Sequence, residues 1–314
     1  MTHTLGGRNV NIILQECCWW LEITGIKEGS RNGPVRVARE PVIVEYYHPT
    51  ERVLLWPERK ANPFFHLFEA LWMLAGHDDV EYVAKFNPRM KEFSDDGMSL
   101  HGAYGARWWL QLPRVVEMLK KDPTTRRAVI GIWDPAKDLW TESKDLPCNT
   151  QIYFRVVEGR LRMTVCNRSN DLIWGMCGSN AVHFSMLQEL IAWGAGLLVG
   201  SYFQFTNNLH IYDNVPKREI YSKPFFDDPY SEKGGVEPFP MCSIPFYDWL
   251  QECKLFIREP NSKFKDPFFE HVCKPMMQAW EEKSPEPLKK CIADDWKRAG
   301  MLFFASKSNL TMLA

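Results

Sequence analysis

Apolar residues recur along the chain with two periods, and the change from one to the other marks out its elements. Residues 8–27 are apolar enough for an entry element but fit helix and strand equally, and Gly29 to Pro34 is rich in turn formers. Pro41 to Tyr47 predicts a strand. Asn62-Pro63 then opens a stretch in which Phe65, Phe68, Leu71 and Trp72 recur at helical spacing, so a helix is expected from Phe64 to Leu74, stopping at Gly76 and carrying Glu69. A tight turn is expected at 101–105, a helix over 113–121, and a strand from Arg126 to Trp133 ended by Pro135. Residues 150–157 and 160–167 flank Glu158-Gly159, the two-residue spacing of a β-hairpin, with Cys148 at the mouth of its first strand. Helical spacing returns over 181–194, and 199–206 reads as a strand.

From about residue 215 the composition turns to Pro, Lys, Asp and Phe, with helices expected over 246–257 and 267–282. The pattern predicts an α/β (α+β) chain with a strand-rich centre. Its expected organisation is a core over 1–214 and a helical C-terminal elaboration of the same domain over 215–314.

Composition changes this picture by exclusion. At 314 residues and 45% hydrophobic content the chain can bury a large core, which rules out a disordered or fibrous reading. Lys plus Arg number 38 against 39 Asp plus Glu, so the net charge of -1 exerts no overall pull toward nucleic acid or a membrane, and any anion site must be local. Nine cysteines, an odd number without a paired CxxC pattern, suit reduced thiols in a cytoplasmic compartment and suggest no metal site. The first residues lack the order of a signal peptide and no apolar run approaches the ~18 residues of a membrane span, so a soluble protein is expected.

The candidate chemistry centres on Leu146-Pro147-Cys148-Asn149. A free cysteine is usually a small buried hydrophobe. Cys148 stands apart because an antiparallel hairpin would bring Arg168, Ser169, Asn170 and Asp171 back beside it, supplying a guanidinium, a hydroxyl, an amide and a carboxylate. Such a cluster suits an oxyanion, and the guanidinium favours the reactive thiolate. An Arg and an Asp that merely satisfy each other at a strand end are the plainer alternative. Arg126 and Arg127, adjacent on an expected strand, would point to opposite faces, which makes it awkward for both to reach one ligand in one subunit.

The Pro-Cys element, the Arg168-Ser169-Asn170-Asp171 element, Asn180 entering a helix and His210-Ile-Tyr212 follow one another in an order that resembles the thymidylate synthase family. Arg31 in its Gly-rich turn, Glu69 in Glu-Ala-Leu-Trp, Tyr104 in Gly-Ala-Tyr-Gly, and Arg126-Arg127 followed by Trp133 add to the likeness, which covers roughly residues 29 to 214. The resemblance implies the family's fold, a large twisted mixed sheet flanked by helices, with sheets packed back to back in a homodimer. It implies Cys148 as nucleophile toward C6 of a pyrimidine nucleoside monophosphate, with Arg31, Arg168 and Ser169 on the 5′-phosphate, joined by Arg126 and Arg127 from the partner subunit. Tyr104 belongs to the implied catalytic set. Asn170 and Asp171 would meet the base or sugar, Asn180 would read the base at N3 and O4, and His210 and Tyr212 would hold the sugar hydroxyl. Glu69 would handle proton transfers, and 5,10-methylenetetrahydrofolate would be the one-carbon donor.

The departures from the family bear on the product and the base. Asn149 stands where methylating members carry His. The stretch Lys85 to Phe93 lacks their shielding tryptophan, with Met90 or Lys91 there, although Trp72, Trp108, Trp109 and Trp174 are alternatives. The ending Leu310 to Ala314 also differs. These features favour water over hydride at the last step, hence hydroxymethylation of dUMP, with thymidylate synthesis or a dCMP hydroxymethylase as alternatives and a non-catalytic nucleotide or RNA binder as a distant one. Asn180 suits uracil, while one extra residue after Gly175 leaves Ser179 as a second candidate for its position. Asn207-Asn208 replaces the common Gly-Asp before the sugar contact.

Overall fold

The computed structural model describes residues 3–215, 227–231 and 235–311, with side chains as far as Lys307. Strand β1 (His3–Gly7) leads into helix α1 (Val10–Thr24), which resolves the ambiguous entry element as helix. Asn9 starts it, accepting hydrogen bonds from the Asn11 and Ile12 amides at 3.0 and 3.3 Å. The turn-rich stretch that follows is the tip of a hairpin between β2 (Ile26–Ser30) and β3 (Gly33–Val37), and β4 (Val42–Tyr46) matches the predicted strand. Helix α2 (Pro63–Leu74) begins at the Asn62 cap and stops before Gly76, whose φ of 82° is free of strain only in glycine.

Short helices α3 (Val80–Ala84) and α4 (Tyr104–Trp108) flank the loop over 94–103, so the expected turn at 101–105 covers only its first residues before Tyr104 opens α4. Helix α5 (Leu112–Lys121) agrees with the prediction. The next strand does not: β5 is confined to Val129–Gly131, and Arg126 and Arg127 precede it in a bend. The alternating-face difficulty for these two arginines therefore falls away, because neither belongs to the strand.

After the single turn α6 (Pro135–Asp138) come β6 (Asn149–Val157) and β7 (Arg160–Asn167), joined by Glu158 and Gly159 at φ 52° and 72°, the left-handed pair that a tight hairpin requires. The two-residue β8 (Asn170–Asp171), an irregular wide turn over Leu172–Ser179, and helix α7 (Asn180–Ala195) follow. Strands β9 (Leu198–Thr206) and β10 (Leu209–Tyr212) complete the two sheets.

The larger sheet is mixed, in the order β1-β4-β9-β7-β6-β5, and the smaller is β2-β3-β10-β8. In the large sheet Ile152, Phe154, Leu161, Met163 and Val165 face inward with Tyr202, whereas Gln151, Tyr153, Arg155 and Arg162 face outward and are exposed. The inward row of β9 turns polar at Gln204 and Thr206, both fully buried. That change of character marks the end of the sheet at which the candidate site lies.

Helix Phe246–Arg258 runs one residue past its predicted range and Lys274–Glu282 lies within its own, preceded by a wider turn over Phe269–Cys273, and a third, Asp294–Thr311, was not anticipated. All three close over α2. The Phe64 ring lies 5.4 Å from Trp280 and 5.3 Å from Phe303, Phe68 stacks on Phe256 at 5.9 Å, and the Cys253 thiol donates to the Leu71 carbonyl at 3.4 Å. Burying each such aromatic contributes roughly 1.5–3 kcal/mol, so these residues hold α2 in a single core with the sheets. The distinctive ending Leu310 to Ala314 lies outside the described side chains.

Candidate active site

The antiparallel β6–β7 pairing does what the sequence required of it. Asn149 faces Asn167, a β-bulge at Thr150 breaks the register, and the Arg168 amide donates to the Cys148 carbonyl at 2.9 Å. Arg168 then folds back over the cysteine: its Nε donates to the Pro147 carbonyl at 2.9 Å and its Nη2 to Leu146 at 3.1 Å, leaving Nη2 3.8 Å from Cys148 Sγ. Burial pushes the half-buried thiol up, Arg168 pulls it down, Asp145 pushes it up again and Arg31 pulls it down. The thiol is thus held protonated by its surroundings and made ionisable by guanidinium groups.

Tyr104 packs beside Cys148 and Asn149, and burial raises its hydroxyl far above the usual range, so it stays protonated. Asp145, mostly buried on the approach to Cys148, accepts from the Gly102 amide at 2.8 Å; burial raises its carboxyl.

The small sheet gathers a second group. β8 runs parallel to β10, which sets Asp171 opposite His210, and the β2–β3 tip carries Arg31 toward Tyr212, where Asn32 donates to the Tyr212 hydroxyl at 3.4 Å. Asp171 Oδ1 accepts from the Ile173 and Trp174 amides at 2.8 and 2.6 Å. Its buried Oδ2 has no hydrogen-bond partner among the described residues, and burial raises the carboxyl. Ser169 is half-buried between Arg168 and β8, while Arg31 is exposed.

Glu69 reaches in from α2. Ser179 donates to its Oε2 at 3.3 Å, and His183 Nε2 lies 3.1 Å from the same oxygen, at an angle that leaves both ring nitrogens without a hydrogen bond among the described residues. A second buried imidazole, His66, stands close by, pushed down to about 3 by burial, with Arg59 and His183 adding to the effect. Ser179 and Asn180 therefore do different things: the hydroxyl meets Glu69, whereas the amide meets other amides. Asn149 Nδ2 donates to Asn180 Oδ1 at 3.3 Å, and Asn180 Nδ2 to Asn170 Oδ1 at 3.1 Å. Asn170, 3% exposed and expected from sequence at the base or sugar, lies beneath Asn180 with its amide committed to neighbours.

Next to Glu69 and Arg31 opens a cavity of about 880 Å³, in the range of small-molecule sites. Arg31, Ser179 and Tyr212 form one wall, and Phe65, Phe93 and Trp174 contribute aromatic faces. Arg59 lies 4.2 Å from the centre of the Trp174 ring and donates to the Ile173 carbonyl at 3.0 Å, fixing that wall. Arg126 and Arg127 are not among its lining residues. Sequence reasoning missed His66, His183, Arg59 and Gln204; the signal available for the last was a polar residue on an inward strand position. Among the described residues there is no cluster of potential metal ligands, and no helix is long and apolar enough to cross a membrane.

Comparison with known proteins shows the family. The family model for thymidylate synthase matches residues 29–220. The chain is 45% identical to a deoxyuridylate hydroxymethyltransferase of Pseudomonas phage M6 over 94% of this chain and 91% of that protein. It is 40% identical to a deoxyuridylate hydroxymethyltransferase of Bacillus phage SP01, over 60% of this chain and 54% of the relative. A thymidylate synthase from Symbiobacterium thermophilum is 31% identical over 47% of this chain and 58% of its own length. Matched by the family model over more than half of its length and by a relative over nearly all of it, the chain belongs to the thymidylate synthase family.

Proposed function

We propose that this protein hydroxymethylates dUMP at C5, taking a one-carbon unit from 5,10-methylenetetrahydrofolate and an oxygen from water. The observation that carries the reading is the near full-length likeness to a phage deoxyuridylate hydroxymethyltransferase, against a likeness to thymidylate synthase over less than half of the chain. Geometry supports it: a thiol beside a guanidinium, an amide that can meet the pyrimidine edge, and a buried carboxylate bonded to Ser179, which lines a large cavity.

In this mechanism Cys148 Sγ bonds to C6 of the uracil, the C5=C6 π bond breaks, and its electron pair passes toward O4, where Asn180 Nδ2 donates a hydrogen bond. Arg168 stabilises the thiolate beforehand. Arg31, Arg168 and Ser169 hold the 5′-phosphate, His210 and Tyr212 the sugar hydroxyl, and Asp171 the loop that meets the pyrimidine. Tyr104 stays protonated beside the thiol. Glu69 moves protons at the base, with Ser179 and His183 against its carboxylate. The folate, when bound, supplies a one-carbon unit at the oxidation level of formaldehyde. Phe65, Phe93 and Trp174 offer faces for its flat ring system, and His66 and Asn87 offer polar edges, so the cavity fits such a group. Asn87, Arg89 and Glu92 line the same cavity from the stretch that lacks the tryptophan, a polar border that favours water over hydride at the last step.

The outward face of the large sheet, with Tyr153 43% exposed beside Gln151, Arg155 and Arg162, supports a homodimer packed sheet to sheet. Arg126 and Arg127, exposed beside that sheet, would enter the partner's phosphate site. The region from 215 onward is an elaboration of the catalytic domain that braces α2, and nine cysteines outside any disulfide suit a cytoplasmic setting. Incubation with dUMP and methylenetetrahydrofolate tests the product. The expected outcome is 5-hydroxymethyl-dUMP with tetrahydrofolate regenerated; dihydrofolate formed in step with dUMP consumption, read by its near-ultraviolet absorbance, would overturn it in favour of thymidylate synthesis.

A further inference from the structure

Behind Asn180 the polar groups form a directional series. Asn149 Nδ2 donates to Asn180 Oδ1 at 3.3 Å, Asn180 Nδ2 to Asn170 Oδ1 at 3.1 Å, and Asn170 Nδ2 to Gln204 Oε1 at 2.7 Å. Gln204 Nε2 donates in turn to the Tyr46 hydroxyl at 3.1 Å and to the Met176 carbonyl at 3.2 Å, and Tyr46 also donates to that carbonyl at 2.9 Å. The members come from β6, α7, β8, β9 and β4. Asn149 and Gln204 are 0% exposed, Asn170 3% and Asn180 7%, so water does not compete for these bonds.

The two ends of an amide have nearly the same shape and opposite hydrogen-bonding character. An isolated Asn can rotate by half a turn at little cost. Here the Met176 carbonyl can only accept, so Gln204 must turn its NH2 toward it, and each upstream amide must follow. Reversing Asn180 would set its oxygen against Asn170 Oδ1 and its NH2 against Asn149 Nδ2, leaving buried groups unpaired at about 1–3 kcal/mol each.

That polarity decides which base fits. Uracil presents an acceptor at O4 and a donor at N3–H, which match the remaining Nδ2 hydrogen and Oδ1 lone pair of Asn180. Cytosine presents a donor at its 4-amino group and an acceptor at N3, the reverse. We infer that the buried amide series fixes Asn180 as a one-way reader that selects uracil over cytosine, with Asn170 and Gln204 as positioning residues that act through it. The inference rests on the proposed reading of Asn180 as the contact to the base, and Gln204 and Asn170 are its new content.

The test compares dUMP and dCMP. Binding of each to the wild-type protein is measured first, followed by kcat/KM for release of tritium from C5 of each nucleotide in Gln204→Met, Gln204→Glu and Asn170→Leu. The wild type should favour dUMP by about a hundredfold or more. Gln204→Met and Asn170→Leu, which let Asn180 turn, should reduce the dUMP-to-dCMP ratio by about tenfold or more. Gln204→Glu, which keeps an acceptor for Asn170, should preserve the ratio. A merely structural role would lower both nucleotides together. A folded Gln204→Met or Asn170→Leu protein with an unchanged ratio overturns the inference. Equal wild-type binding of the two nucleotides does so without any variant, even where both variants fail to fold. Binding of neither nucleotide by the wild type overturns the underlying functional reading instead.

Discussion

The two sides of the candidate site are built on opposite physical terms. Around Cys148 the groups are charged, titratable and half open: a guanidinium 3.8 Å from sulfur, the Asp145 carboxyl nearby, and a thiol whose ionisation depends on the balance between them. Around Asn180 they are neutral, buried and bonded in series. The difference separates two tasks. A nucleophile must change its charge state during turnover, and access to solvent and cations permits that. A base reader must not change at all, and amides locked away from water neither titrate nor turn.

The comparison breaks most sharply at sulfur. Cys148→Ala should lower release of tritium from C5 of dUMP by about a thousandfold or more, while dUMP binding stays within a few-fold of wild type. Undiminished release would remove Cys148 from the chemistry. Gly175→Ala attacks the other side: a Cβ there would meet Asn170 Oδ1 at 2.5 Å and Asn180 Nδ2 at 3.4 Å. The expected cost is roughly 1–3 kcal/mol of stability, with a fall in kcat/KM for dUMP, while alkylation of Cys148 at fixed pH keeps its wild-type rate. Alkylation falling in parallel would show that the two sides are not independent.

The smallest expected effect is on pH. Because Arg168 lowers the thiol's pKa against burial, its loss in Arg168→Ala moves the alkaline rise of Cys148 alkylation to higher pH. Reactivity at neutral pH falls with it, since less thiolate is present. A profile that stays in place would mean that the guanidinium serves the Leu146 and Pro147 carbonyls and not the sulfur.

The reactive side was legible in the sequence because local rules govern it. Glu158-Gly159 sets the hairpin, the hairpin sets the register, and the register brings Arg168 back to Cys148. The reading side was not. Gln204 looked like one more residue on an inward-facing strand, and nothing local says that its neighbour would be Asn170 of a different sheet. Asn170 is expected from sequence at the base or sugar, and its amide is bonded to Asn180 and Gln204. The strand expected from Arg126 failed for a related reason: β-branched residues continue to Ile132, but the regular ladder with β6 holds only Val129 to Gly131, and Ile132 and Trp133 both donate to the one Thr150 carbonyl at the bulge.

The packing of the last helix on α2 bears on how the protein comes to be made. Glu69 lies on α2, and Phe64 of that helix meets Trp280 and Phe303, which follow it far later in the chain. Until they pack, an almost wholly apolar helix lacks part of its cover, and contacts this distant in sequence close slowly. Acquisition of the native core is therefore a late event, governed by the arrival of these distant helices and not by the order in which the site residues are made.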